Sequence, residues 1–356
     1  RDIERSAALP VPPYSQPTWI RPIPVPIGEY QLAGGLARFT HIDVITEMGD
    51  KYVASRMDCA QLINSADDRN KACRVLDNIM AVRPEYGGLD MSRAHIMGVL
   101  NTTPDSFSDG GQYLGHAKAI AAGKAMKAAG ASLVDVGGES TRPGAVAVTR
   151  NQELARILPP ISALARVGIT VSVDTRHAEV MHRAISAGAS IINDVQALQG
   201  EGALAAAAKT NASVVMMHMQ GTPKTMQENP VYGFAPVDIY RFLEERVDAA
   251  TAVGIPRAAI AVDPGFGFGK TVRHNLVLLN WLSMMHGLGV VVLFGASRKS
   301  SIAKISKEEP VDKRLPGSLT LALAARRQGA HILRVHDVEE TAQALAVETA
   351  LLCNDN

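Results

Sequence analysis

Cysteine is nearly missing. Cys59, Cys73 and Cys353 are the only three in 356 residues, scattered and without the spacing of a metal site. That excludes a disulfide framework and implies reduced thiols in a cytoplasmic protein. Excess charge of either sign is missing too: the net charge is +1, so no global field draws nucleic acid or an anionic membrane to the chain. No apolar run approaches the length of a bilayer span, and no signal-peptide pattern opens the sequence. The first residue is Arg1 rather than Met, which points to trimming or processing, with targeting residues possible upstream. What is there, 47% hydrophobic and 20% charged, is ordinary for a soluble globular enzyme. The length allows one large α/β domain with an appendage.

The appendage is residues 1–91. Seven prolines between Pro10 and Pro26 remove amide donors and fix φ, so that stretch is expected to be extended or wrapped along a surface. Tyr30–Met48 holds one or two expected strands, and Met57–Val82 reads as helical. No chemical motif stands out there, which suggests a structural or oligomerising role.

Residues 92–356 alternate short apolar runs with helical patterns, without internal repeats. Helices are expected at about 117–130, 150–166, 177–187, 201–209, 237–253, 273–286, 313–329 and 338–352. Thr149 with Gln152, and Asp337 with Glu340, resemble capping boxes. The apolar runs are near-continuous, as strands covered on both faces should be. Strand–helix alternation implies a parallel sheet, and eight units over roughly 260 residues favour a closed (β/α)8 barrel over an open sheet.

The ends of these runs carry the chemistry. His95–Leu100 runs into Asn101-Thr-Thr-Pro-Asp-Ser-Phe107, Leu133–Val136 into Gly137-Gly-Glu-Ser-Thr-Arg-Pro143, and Ile169–Val173 into Asp174-Thr-Arg176. Ser190–Ile192 runs into Asn193-Asp194, Ala259–Val262 into Asp263-Pro-Gly265, and Val290–Phe294 into Gly295-Ala-Ser-Arg-Lys299. Ser213–Met217 leads to His218, and His331–Val335 carries Arg334 with His336 just beyond. A parallel barrel gathers all its strand ends on one face, so these groups should form one composite site. Asp263-Pro-Gly-Phe-Gly-Phe-Gly-Lys-Thr271 imitates a phosphate loop but is one residue short of that pattern. It reads better as a strand-end carboxylate followed by glycines that let backbone approach a ligand. A helix cap or loop charge is as good a reading as a site role for Asp194, and a packed histidine is the better one for His218.

Together these segments, with Met217-His-Met-Gln-Gly221, Ser297-Arg-Lys299 and Arg334-Val-His-Asp337, resemble dihydropteroate synthase over residues 95–353. The resemblance implies condensation of a dihydropterin methyl diphosphate with 4-aminobenzoate, releasing pyrophosphate. It implies pterin and diphosphate contacts from Thr141, Asp174, Asn193, Met217, Asp263, Lys299, Arg334 and His336. The carboxylates suit it, because a pterin edge offers a ring N–H and an amine that one carboxylate accepts together. Phe107, Arg142, Pro143, Phe268 and Ser300 are implied for aminobenzoate. Asn101 is implied as a ligand of Mg2+, held mainly by diphosphate and water. Asp109, Lys299, Arg334 and His336 are the implied catalytic groups. Arg334 and His336 alternate along the chain, so both should face one side, at the usual anion site of barrel enzymes.

No nucleophile–base pair is visible, which favours ionisation of the pterin methylene before capture by the amine. A homodimer and sulfonamide binding are also implied. A barrel methyltransferase sharing the pterin pocket, or a catalytically silent homologue, are the alternatives.

Overall fold

The computed structural model describes residues 3–6, 18–65, 71–102, 111–139, 148–222 and 225–353. The N-terminal part is a sheet backed by two helices. Glu4–Ser6 (β1), Thr18–Val25 (β2), Tyr30–Gln31 (β3), Arg38–Met48 (β4) and Lys51–Asp58 (β5) pair in the order β1-β5-β4-β2, with β3 also on β4. Cys59–Ser65 (α1) and Lys71–Met80 (α2) follow. The Pro-rich stretch is a strand from Thr18 onward, on the edge of the sheet, where Pro22 and Pro24 need no donor; the register shifts between them. Residues 10–17 lie outside the described ones. Met57, expected in a helix, belongs to β5, which pairs along its whole length with β4 through a two-residue turn at Gly49 (φ 64°). The pairing, a non-local contact, takes Met57 and Asp58 out of the expected helix and into the sheet.

This sheet is fused to the flank of the barrel. One face buries Ile20, Phe39, Ile42 and Val44 against Leu62, Leu76 and Ile79, while Trp19, Ile45 and Tyr52 on the other join the barrel's core. Rings stack in series: Trp19–Tyr52 at 6.2 Å, Tyr52–Phe234 at 6.0 Å and Phe234–Trp281 at 5.0 Å. The Arg241 guanidinium lies 4.6 Å from the Trp19 ring and that of Arg21 lies 4.5 Å from Trp281.

The remainder is the expected closed barrel of eight parallel strands. They are His95–Asn101 (β6), Leu133–Gly137 (β7), Thr170–Asp174 (β8), Ile191–Asp194 (β9), Ser213–Met217 (β10), Ile260–Asp263 (β11), Val291–Phe294 (β12) and Ile332–Val335 (β13). The helices between and after them are Gly111–Ala128 (α3), Arg150–Arg166 (α4), Ala178–Ser186 (α5), Ala203–Ala208 (α6), Ala235–Ala252 (α7), Val272–Asn280 (α8), Ser300–Ile305 (α9), Leu315–Arg327 (α10) and Val338–Cys353 (α11). Three details differ from expectation. The helix expected to reach residue 286 ends at Asn280, and a buried 3-10 segment, Leu282–Leu288, takes over where β2 and α2 pack. The short α9 has too few residues for a periodic signal. Asp337 spends both carboxylate oxygens on Arg298 instead of a capping box. The box at Thr149 and Gln152 is present.

Side chains two residues apart point the same way along a strand. Leu133, Ile191, Ala261 and Ile332 therefore fill the barrel with Tyr86, whose buried ring plugs its lower end and whose hydroxyl donates to the Val214 carbonyl at 3.1 Å. Two residues further on, the same inward positions hold Asp135, Asn193, Asp263 and Arg334. The apolar layer thus becomes the floor of a polar one. Among the described residues no helix is long and apolar enough to cross a membrane.

Candidate active site

Arg334 is the hub. Its Nε donates to Asp135 Oδ2 at 2.7 Å and its Nη2 to Asp174 Oδ2 at 2.8 Å. Asn193 Nδ2 donates to the same Asp135 oxygen at 3.0 Å. Four strands therefore meet through one guanidinium. Neighbouring strands set this up, because Asp135 pairs in register with Ser172, and Asp174 with Asn193. Asp135 is fully buried, and its Oδ1 has no partner among the described residues, nor has Ser172 Oγ beside it. Such orphaned buried atoms are what a bound ligand or water would satisfy. Burial opposes the charge of Arg334, but Asp135 and Asp174 outweigh it and push its pKa up. Burial raises Asp174 to about 7 despite Arg334.

Asp263 ends β11 opposite Met217, and its Oδ1 accepts the Gly265 amide at 2.8 Å. Its carboxyl is raised by burial, against the pull of Lys299 and that loop amide. Lys299 enters from the β12 side, donates to the Phe266 carbonyl, and holds its Nζ 4.3 Å from the centre of the Phe268 ring. Burial lowers Lys299 to about 7. Arg298 beside it adopts φ 59°, a left-handed conformation that costs a non-glycine residue energy. That turn aims Lys299 inward while Arg298 points out to Asp337, and Arg314 and Ser318 clamp the Arg298 backbone.

The other expected site residues divide. His336 lies just past β13, with Nδ1 3.0 Å from Ser297 Oγ. Ser300 is exposed at the first turn of α9, and half-buried Asn101 ends β6 beside Gly137. Phe107, Asp109, Thr141, Arg142 and Pro143 lie outside the described residues. Asp194 is structural: its oxygens accept the Gln196 and Leu198 amides at 2.8 and 2.9 Å. His218 is packed, edge-on to Phe242 at 4.9 Å. Arg334, expected to meet an anion, has two of its nitrogens committed to carboxylates.

Sequence reasoning missed Asp135. A carboxylate inside an apolar run that should be covered on both faces was the available signal. It also missed Lys270, whose 3% exposure hides it beneath the glycine loop. Among the described residues no three His, Cys, Asp or Glu side chains cluster as a metal site. The Asn101 amide oxygen nonetheless suits a hard cation as an accessory ligand, the rest coming from substrate phosphate and water. A cavity of about 180 Å³ borders Met217, Met219 and Phe242. A larger one, about 570 Å³, lies between the N-terminal sheet and α10–α11, near Met91 and His331, and contains none of the strand-end residues.

Comparison with known proteins agrees with this geometry. Residues 97–336 match the family described as pterin binding enzyme. Dihydropteroate synthase of Escherichia coli (strain K12) is 47% identical over 265 residues, which cover 74% of this chain and 94% of that protein. The crystal structure of Yersinia pestis dihydropteroate synthase in a sulfonamide drug complex superposes with a TM-score of 0.70 at 46% identity, covering 74% of this chain and 96% of that one. The Xanthomonas albilineans dihydropteroate synthase solved with 4-aminobenzoic acid gives 0.70 at 45%, covering 74% and 94%. The chain belongs to the dihydropteroate synthase family of pterin-binding enzymes.

Proposed function

We propose that the strand-end cluster binds the pterin and its leaving group and lets the carbon–oxygen bond ionise before the amine attacks. The family's reaction is transfer of a dihydropterin methyl group to 4-aminobenzoate. Asp174, Asn193 and Asp263 read the pterin edge, two carboxylates accepting ring and amine N–H groups and the amide doing both. Asp135 and Arg334 hold those acceptors in place, and Lys299 donates to the carbonyl side of the ring. The remaining guanidinium nitrogen of Arg334, with His336, faces the diphosphate. Mg2+ held by Asn101 and the diphosphate would supply charge neutralisation for the leaving group.

The methylene C–O bond breaks with its electron pair leaving on pyrophosphate, and the pterin ring delocalises the resulting cation. The amine lone pair then forms the C–N bond, and its extra proton passes to water or pyrophosphate. No strong base is needed for that order. Asp109 is assigned to stabilising the cation, and Thr141 to the pterin diphosphate. Phe107, Arg142, Pro143, Phe268 and Ser300 are assigned to the aminobenzoate slot, where sulfonamides would compete. Exposed Val347 and Leu351 on α11 support a homodimer through barrel helices.

The observation that carries this reading is Arg334 tied at once to Asp135 and Asp174, residues 160 and more positions away. The test is incubation of the purified chain with the pterin diphosphate and 4-aminobenzoate, with and without Mg2+. Dihydropteroate and pyrophosphate in equal amounts, dependent on Mg2+, is the expected result. Binding of both substrates without product would mean a silent homologue. Methyl transfer from methyltetrahydrofolate would mean the other pterin chemistry.

A further inference from the structure

The glycine loop after β11 is gripped in an unusual way. Each of four successive carbonyls accepts from a side chain, three of them from outside the loop and one from the loop's own Lys270. Lys299 holds Phe266, Gln227 Nε2 holds Gly267 at 2.8 Å, Lys270 Nζ holds Phe268 at 2.9 Å, and the Tyr232 hydroxyl holds Gly269 at 2.6 Å. The glycines make the grip possible. Gly265, Gly267 and Gly269 have φ of 71°, 83° and 60°, and a Cβ on Gly265 would stand 1.9 Å from the His218 carbonyl oxygen. The loop is thereby pressed directly onto the segment that follows β10.

Lys270 is the buried member of the set. Its Nζ also lies 2.9 Å from His218 Nδ1 and 3.5 Å from the His218 carbonyl, so three polar atoms enclose it. His218 in turn is fixed against Phe242 and Tyr232. A lysine so enclosed cannot reach a phosphate. It can fix the backbone of Phe268, and through it the angle of the ring over Lys299.

We infer that Lys270, seated on His218, is a positioning residue that sets Phe268 as the wall of the amine slot. The inference rests on the assignment of Phe268 to that slot. Burial, helped by the Lys299 charge and opposed by that of Asp263, leaves the pKa of Lys270 well below the usual lysine range, and His218 is likewise pushed down by burial and by Lys270. The pair thus carries at most one proton's charge, and a water-filled replacement would not reproduce its geometry.

Steady-state kinetics on the full chain provides the test. Lys270→Met keeps the stem and removes the donor. It should raise KM for 4-aminobenzoate about tenfold, since a misplaced slot wall costs on that order or more, with KM for the pterin diphosphate held within about twofold. Added to Phe268→Ala, it should change the aminobenzoate KM hardly at all, because it acts through that ring. An unchanged aminobenzoate KM, an equal rise in both constants, or full additivity with Phe268→Ala would overturn the inference. Should Lys270→Met not fold, Tyr232→Phe removes a milder member of the grip. A rise of about fivefold in the same constant is then expected, and no rise overturns the inference. If Phe268→Ala alone leaves the aminobenzoate KM unchanged, the slot assignment is at fault and this inference falls with it.

Discussion

Asp135→Asn is the sharpest perturbation of the site. The carboxylate is fully buried, and only Oδ2 is used, by Arg334 Nε at 2.7 Å and Asn193 Nδ2 at 3.0 Å. An asparagine of the same shape can keep its oxygen there and put its NH2 where Oδ1 now has no partner. Geometry survives, the charge is lost, and the free acceptor becomes a donor. A hydrogen bond to a charged group contributes about 1.5–3 kcal/mol, a neutral one about 0.5–1.5, so the site loses about 1–2 kcal/mol of organisation. That predicts a fall of about 5–30-fold in kcat/KM for the pterin diphosphate, read by pyrophosphate release at saturating 4-aminobenzoate. A second readout follows from sign. Asp135 is among the charges that push Asp174 up to about 7, and Asp174 must be ionised to accept from the pterin. Activity in the wild type should therefore fall as pH drops through about 7. In Asp135→Asn that acid limb should move to lower pH. Wild-type kcat/KM together with an unmoved acid limb would refute the reasoning.

Other consequences are direct. Arg334→Ala or His336→Ala should each lower turnover by about 100-fold, equivalent to about 3 kcal/mol, and wild-type turnover in the folded variants would defeat the anion-site assignment. Arg334→Ala should also cost about 3–5 kcal/mol of stability in denaturant titration, because Asp135 and Asp174 lose their shared partner. Glu153, buried on α4, has its carboxyl raised from 4.5 to about 7 by burial. Its contribution to stability is intact below about 4.5 and is lost as pH rises through about 7. Glu153→Gln should thus leave stability nearly unchanged at pH 5 and add about 3 kcal/mol at pH 8. An equal effect at both pH values would contradict that. Trp19→Ala should cost about 3 kcal/mol and still give one cooperative transition; two separate transitions would show that the N-terminal sheet folds apart from the barrel.

The barrel was legible because its signal is local and repeated. Apolar runs such as Val290–Phe294 stop abruptly at polar residues, and the strands end within a residue or two of those stops. Asp174, Asn193 and Asp263 were legible for the same reason, each sitting where a run terminates, and Arg334 was legible through its alternation with His336 and the family resemblance. Asp135 was not, since it lies inside its run and only the closed barrel reveals which face it takes. Lys270 could be denied a phosphate-loop role from spacing, but its burial depends on Gly265 and Gly269 letting two loops touch. Strand β5 escaped notice because its structure comes from pairing with β4. The Leu282–Leu288 segment was read as ordinary helix because its distortion follows from packing against the N-terminal sheet.

Calorimetric titration of a pterin into wild-type chain and into Asp263→Asn tests the central claim most directly. One site per chain is predicted, with affinity at least about 100-fold weaker in the variant, because a buried acceptor of two N–H groups becomes a mixed donor and acceptor. Equal affinity in the two proteins would contradict the assignment of these strand ends to the pterin.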